Sequence, residues 1–392
     1  MEDDTSRDGE QALSDPDVLI ESESAPSPRR GRALWVTLGF LALLVALGFG
    51  IYYVISAPLR AKEATVPTAA PSAQPLIEQG EGLFAQGRVE EAMAAYNQAL
   101  SIEADNGRAL ADWGWALTVR GKTGEGIQRL QQATEVAADK ADYAALLALA
   151  YDWDGQYDKA SEVIQNAVNL EPANAIVQGV LAEVKADTGQ AEAALAAGQQ
   201  AITLDPESAD AHRAYGYALQ SVGAFDKAAE EMKRAVALRP NLTYHRLSLA
   251  AVYRTAGQWP EAIAEFQSVI DAEPYNPQGY EGLGLTYYKQ KDYGSAIPFF
   301  QKASELDPAR FSSLNYLAWS YYLSEQYDTA VPYFEKALAV DPNRPETHAG
   351  FGWALVNLQL YDRAREQFDQ ALALSPNLQL AKDGLAAIEG KQ

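Results

Sequence analysis

The residues best able to do chemistry are few and scattered. Histidine occurs three times, at His212, His245 and His348, and cysteine does not occur at all. Thiolate metal sites, disulfides and cysteine nucleophiles are therefore excluded. No His-Glu-x-x-His pair, Gly-x-Ser-x-Gly elbow, phosphate loop or dinucleotide fingerprint appears anywhere in the chain. Carboxylates are plentiful, but Glu171, Asp205, Glu273, Asp307 and Asp341 each stand directly before a proline or its equivalent turn, where a solvated side chain is expected. The histidines are far apart, and His212 and His348 occupy the same place in a repeating pattern, which makes them packing residues. This chemistry predicts no enzyme, no cofactor and no metal.

The pattern that positions these residues is a repeat. Gly80, Gly114, Ala148, Ala182, Gly216, Ala250, Gly284, Ala318 and Gly352 recur every 34 residues without an insertion. Ala92, Gly126, Ala160, Ala194, Ala228, Ala262, Ala296, Ala330 and Ala364 follow in step, 12 residues later in each unit. Most units end in proline: Pro172, Pro206, Pro240, Pro274, Pro308, Pro342 and Pro376. Proline has no amide hydrogen to donate and cannot extend a helix, so each one forces a turn. Small residues in both halves of a unit let two antiparallel helices cross closely. Larger pairs such as Leu283 with Tyr287, Leu317 with Tyr321 and Phe351 with Leu355 fill the remaining space at helical spacing. One hairpin cannot cover both of its apolar faces, so the units must stack.

The stretch from Tyr280 to Pro308, YEGLGLTYYKQKDYGSAIPFFQKASELDP, carries the helix–turn–helix pattern that the tetratricopeptide repeat (TPR) family repeats at this spacing. The chain resembles that family over about four-fifths of its length. The resemblance implies an all-α fold, a right-handed α-solenoid of about nine units over residues 73–378, closed by a capping helix in 379–392. Two units depart from the pattern. The second has Gly126 for alanine and Ala138 where proline is expected, and the fourth has Lys185 and Gly198 at normally bulky positions; thinner interfaces and bending are expected there.

In the family, first helices line a concave groove through the second, fifth, ninth, twelfth and thirteenth positions of each unit. The resemblance projects Trp115, Tyr217, Trp319 and Trp353 inward from ninth positions. It adds Trp153, Tyr288 and Tyr322, with Arg108, Arg213, Arg254 and Lys289 among them. The candidate partner site is thus Trp115, Trp153, Arg213, Tyr217, Arg254, Tyr288, Trp319, Tyr322 and Trp353. For the twelfth-position tyrosines, packing between units is the competing role. The carboxylate clamp of some family members needs Asn and basic residues at inner positions. Here the sixth positions are Glu78, Asp112, Leu146, Val180, Ala214, Ser248, Gly282, Tyr316 and Gly350, so the clamp is absent. An apolar, aromatic or modestly basic segment, extended or helical, is the expected partner.

Before the repeats, the first 32 residues form an acidic tail whose first 28 carry nine acidic groups and one arginine, too polar to cover a core. Residues 33–57 contain Leu34 to Ser56, which is free of charge over 23 residues. As a helix it would span roughly 34 Å, enough to cross a bilayer. Trp35, Tyr52 and Tyr53 near its ends suit the membrane interface. Arg29, Arg30 and Arg32 before it, against Arg60 and Lys62 after it, favour a cytoplasmic N-terminus and extracytoplasmic repeats in a single-pass plasma or inner membrane protein. Residues 58–72 form an Ala/Pro-rich linker. Ala42, Ala46 and Gly50 share one face and could pair two anchors in a weak homodimer.

The net charge of −22 repels phosphate backbones, so nucleic acid is not the expected partner. The sequence therefore predicts a membrane-anchored scaffold that binds a protein or peptide in its groove and helps assemble or hold a membrane or envelope complex. A permanent structural subunit of such a complex, and an accessory factor to a cell-wall or glycan enzyme, are the alternatives.

Overall fold

The computed structural model describes residues 72–391. Among them are nineteen α-helices and no strand. The first two hairpins are α1 (Gln74–Ala85) with α2 (Val89–Ile102) and α3 (Gly107–Val119) with α4 (Thr123–Val136). Next come α5 (Ala141–Trp153) with α6 (Tyr157–Leu170) and α7 (Ala175–Asp187) with α8 (Ala191–Leu204). The fifth and sixth are α9 (Ala209–Ser221) with α10 (Phe225–Leu238) and α11 (Thr243–Thr255) with α12 (Trp259–Ala272). The last three are α13 (Pro277–Lys289) with α14 (Tyr293–Leu306), α15 (Phe311–Leu323) with α16 (Tyr327–Val340), and α17 (Pro345–Asn357) with α18 (Tyr361–Leu374). A shorter α19 (Gln379–Ala387) follows. The expected membrane segment, the acidic tail, most of the linker and the Ala42, Ala46, Gly50 stripe lie outside the described residues. No described helix is long and apolar enough to cross a membrane.

Local signals set each hairpin. Asn106, Asn174, Ser208 and Asn276 stand one unit or more apart in phase and cap the first helices, accepting bonds from backbone amides two or three residues on. Each first helix then ends on a residue at positive φ: Gly87, Gly121, Gly155, Gly189, Gly223 and Gly257, followed by Lys291, Glu325 and Gln359. This left-handed position recurs at the repeat spacing and turns the chain into the second helix.

Within a hairpin the small residues sit at the crossing. A side chain added to Gly80 would reach within 2.4 Å of the Tyr96 ring, and one added to Gly352 within 2.5 Å of Phe368. Rings from the second helix thus occupy the space that these glycines leave. The alanines twelve residues on, Ala92 to Ala364, are fully buried.

The second and fourth units are not thinner. A Cβ at Gly126 would lie 2.3 Å from Thr118 Oγ1 and 2.8 Å from the Gly114 carbonyl. At Gly198 it would meet Tyr215 Cα at 2.9 Å. Each glycine draws two backbones together, so those interfaces are closer than an alanine would permit. Lys185 stays partly exposed and bonds Gln190 at the helix end.

The array also meets itself. Arg120, at the end of α3, binds both Glu90 (2.9 Å) and Glu273, which lies 153 residues away in the sixth unit. Leu242 and Tyr244 join a buried cluster with Leu83, Val89, Ala116 and Val119 from the first two units. The left-handed Gly87 leaves room for the Asn241 carbonyl, which a Cβ would approach to 2.2 Å. Successive rotations between units bring the sixth hairpin back against the first two, and side chains fill much of the interior between them.

Candidate functional site

One open cavity of about 380 Å³ lies where inner-face positions of units three to six converge. It is lined from α5 by Asp152 and Trp153, from α7 by Glu183 and Asp187, and from α9 by Arg213, Tyr217 and Gln220. Tyr157, Met232, Ser248 and Ala251 complete the wall. First helices enter the interior with their last two turns here. A polar side chain at a ninth, twelfth or thirteenth position therefore points inward and is flanked by apolar neighbours that face the core.

Glu183 and Arg213 form the buried base. Arg213 donates to both Glu183 oxygens, at 2.5 and 3.1 Å, and each side chain is almost entirely covered. Burial alone would lower the Arg213 guanidinium, but Glu183, Asp210 and Tyr244 hold it above its ordinary value and it stays charged. Trp153 Nε1 donates to the same Glu183 at 3.3 Å, and the guanidinium lies 5.2 Å from the Trp153 ring centre.

Asp152 and Asp187 are the remaining carboxyl groups of the wall. Asp187 accepts a hydrogen bond from the Tyr217 hydroxyl at 2.5 Å. Burial, then Asp187 and Glu183, push the Tyr217 hydroxyl well above its usual range, so it remains a donor. Asp152 is only 3% exposed; no N–H or hydroxyl donor of the protein reaches its oxygens, and its side-chain neighbour is the Asp187 carboxyl, to which it hydrogen-bonds when protonated. Burial first, then Asp187 and Glu183, raise it to about 9, partly offset by Arg213. At neutral pH Asp152 holds a proton.

Six of the nine sequence-predicted partner residues are not joined in this way. Trp115 packs at a tilt against Trp153, with ring centres 5.6 Å apart, and meets Tyr244 edge-on at 5.7 Å, closing the interior between the second and sixth units. Arg254 lies 5.7 Å over the Phe266 ring. Tyr288 (2% exposed), Trp319 (1%) and Tyr322 (8%) are core residues and do not line an open groove. Trp319 fills the hole left by Gly350 of the next unit, where a Cβ would come within 2.5 Å of the indole. Tyr288 packs edge-on to Tyr316 of the next unit, which is the inter-unit role, whereas Tyr322 packs against Tyr327 within its own hairpin. Trp353 packs on Phe368 and donates to the Leu380 carbonyl at 3.1 Å, so α19 covers it. Trp153, Arg213 and Tyr217 do converge, although Arg213 is spent on Glu183.

The spacing of aromatics does not single out Asp152, Glu183 and Asp187. Their signal is a carboxylate at a twelfth, a ninth and a thirteenth position, inside the stretches LALAYDW and VLAEVKAD, which besides these acids carry only one charge, Lys185. The histidines are structural. His212 and His348 each bond the carbonyl of the preceding turn proline, Pro206 and Pro342, at 3.0 Å. Gln178 uses the same fourth position to reach Pro172. His245 is fully buried, and burial lowers it to about 4, so it is neutral.

Stacked antiparallel hairpins with polar residues gathered on an inner face define a helical-repeat solenoid. Tetratricopeptide repeat models match residues 83–150 and 321–388, 278–343, and 154–209 with 180–242, and a TPR repeat model matches residues 250–291. The chain belongs to the tetratricopeptide repeat family. No curated protein matches it. Among solved structures, a chain of the APC/C hetero-tetramer Cut9–Hcn1 is similar with a TM-score of 0.55 at 20% identity, over 76% of this chain. This chain spans only 58% of that one. YrrB, described as a TPR protein with an unusual peptide-binding site, matches at 21% identity with a TM-score of 0.39, over 48% of this chain and 97% of its own. At 20% identity the likeness to the Cut9–Hcn1 chain is one of fold.

Proposed function

We propose that this chain is a noncatalytic scaffold that captures a partner polypeptide in the inner cavity of units three to six. The observation that carries the reading is the convergence of Asp152, Trp153, Asp187 and Tyr217, from three different hairpins, on one open cavity. Aromatic side chains beside a small set of polar groups make a recessed site for a side chain, and Trp and Tyr are residue types that anchor interfaces. Capture needs little rearrangement, because the wall is fixed by the Arg213–Glu183 pair and by Trp115, which packs against both Trp153 and Tyr244 behind it.

The sequence adds a place for this to happen. Leu34 to Ser56 tethers the repeats to a bilayer and the linker keeps them close to it, raising the local concentration of membrane partners. The scaffold gathers components of a membrane or envelope complex, on the extracytoplasmic side. Joint replacement of Trp153 and Tyr217 by alanine lowers partner affinity by at least roughly thirtyfold, as loss of interface anchors does. Far-UV circular dichroism and the melting temperature serve as controls for folding. Undiminished capture by a folded double variant refutes the cavity as the binding surface.

A further inference from the structure

We infer that the cavity is a socket for a cation, the ammonium or guanidinium group of a lysine or arginine side chain on the partner. This deepens the scaffold reading and rests on it. Three carboxylates line the space and one cation answers them. Arg213 is committed to Glu183 through two bonds. Asp187 accepts from the Tyr217 hydroxyl and from the protonated Asp152 carboxyl, and no cation faces it. Asp152 is 97% covered, yet it lines the cavity. With no N–H or hydroxyl donor facing it, Asp152 stays protonated against Asp187 in the empty protein, and a ligand with several N–H groups supplies the donors that its carboxylate form lacks.

The walls specify what kind of cation. Trp153, Tyr157 and Tyr217 present ring surface beside the acids, and Met232 and Ala251 add apolar area. A long aliphatic stem ending in a charge suits that combination, through stem packing and attraction of the charge to ring faces. Among the described residues, no group of three or more His, Cys, Asp or Glu could hold a metal ion. An anionic ligand would meet Asp152 and Asp187 with no spare positive charge, because Arg213 is already neutralised.

Protonation supports the same assignment. Asp152 is raised by burial and by Asp187 and Glu183, and lowered by Arg213, so that it is neutral near pH 7. A cation seated beside it favours the carboxylate and displaces that proton. Binding therefore releases a proton and tightens as pH rises from 6 to 8.

The test uses the full chain, with its seven tryptophans labelled as 5-fluorotryptophan and the Trp153 fluorine resonance assigned through Trp153→Phe. The probes are N-acetyl-lysine methylamide, N-acetyl-arginine methylamide and the uncharged N-acetyl-norleucine methylamide. A saturable shift of the Trp153 signal is expected with at least one charged probe, with a norleucine response at least tenfold weaker. Asp152→Asn and Asp187→Asn each weaken the charged probe about tenfold. Asp187 lies at the exposed mouth, so its variant decides the matter should Asp152→Asn fail to fold. No shift with either cation, an equal norleucine response, or full affinity in the folded variants overturns the socket. These probes do not require partner capture. Their failure beside intact, Trp153- and Tyr217-dependent capture removes only the socket, whereas cation binding without capture removes only the scaffold.

Discussion

Replacing Asp152 by asparagine should make the fold more stable at neutral pH, and the size of the gain should depend on pH. The carboxyl is 97% covered and accepts no hydrogen bond, and it is held at about 9 by burial and by its acidic neighbours. In the unfolded chain it ionises near pH 4. Between those limits the folded state binds a proton that the unfolded state does not, so stability falls as pH rises. Each pH unit in that window is worth about 1.4 kcal/mol, and the interval from pH 5 to pH 7 therefore removes up to about 2.7 kcal/mol. Asparagine cannot ionise and has nearly the same shape. Urea titrations of the wild type and Asp152→Asn at pH 5, 6 and 7 measure the difference directly. Asp112, whose shift comes from burial, Glu81 and Arg108 and owes nothing to Asp152, is common to both proteins and cancels. The wild type should lose stability relative to the variant by roughly 1 kcal/mol per unit. Parallel profiles would refute the reasoning, because they would mean that Asp152 is charged and solvated in the folded protein.

Other consequences can be measured separately. Lys291, Glu325 and Gln359 occupy the left-handed position that glycine fills in the first six units, so changing any one to glycine should stabilise by about 0.5–1 kcal/mol in chemical denaturation. Trp319→Ala should destabilise by about 3–5 kcal/mol while leaving partner affinity per folded molecule unchanged, since the indole is interior. Glu183→Gln strands the Arg213 guanidinium in a covered site and should destabilise by about 3 kcal/mol, whereas the joint change Glu183→Gln with Arg213→Met should recover much of that loss. Gly87→Ala places a methyl 2.2 Å from the Asn241 carbonyl and should loosen the contact between the first and sixth units, read as faster amide exchange in α1 and α11.

Much of the fold is legible because each unit repeats the same local instructions. The glycine or alanine at the crossing, the alanine twelve residues later and the turn proline fix where hairpins begin, cross and end. The left-handed turn is less visible, because Lys291, Glu325 and Gln359 interrupt the run of glycines that would announce it. The fates of Trp319 and Trp353 are not legible from position alone. Gly350 opens a hole for one indole and α19 covers the other, and both depend on the neighbouring unit. The return of the sixth hairpin onto the first two is a property of accumulated rotation. No single unit encodes the meeting of Arg120 with Glu273. Trp153 and Tyr217 are readable as inner aromatics. Their acidic companions become meaningful only when units three, four and five are brought together.

The most direct measurement is photocrosslinking from Gln220, at the rim of the cavity, in native membranes, with Gln199 on the exposed surface of α8 as the comparison. Gln220 should capture one partner polypeptide, at a segment carrying lysine or arginine, and Trp153→Ala with Tyr217→Ala should abolish the adduct. Equal capture from Gln199, or an adduct at Gln220 that survives the double substitution in a folded protein, would contradict capture in the cavity.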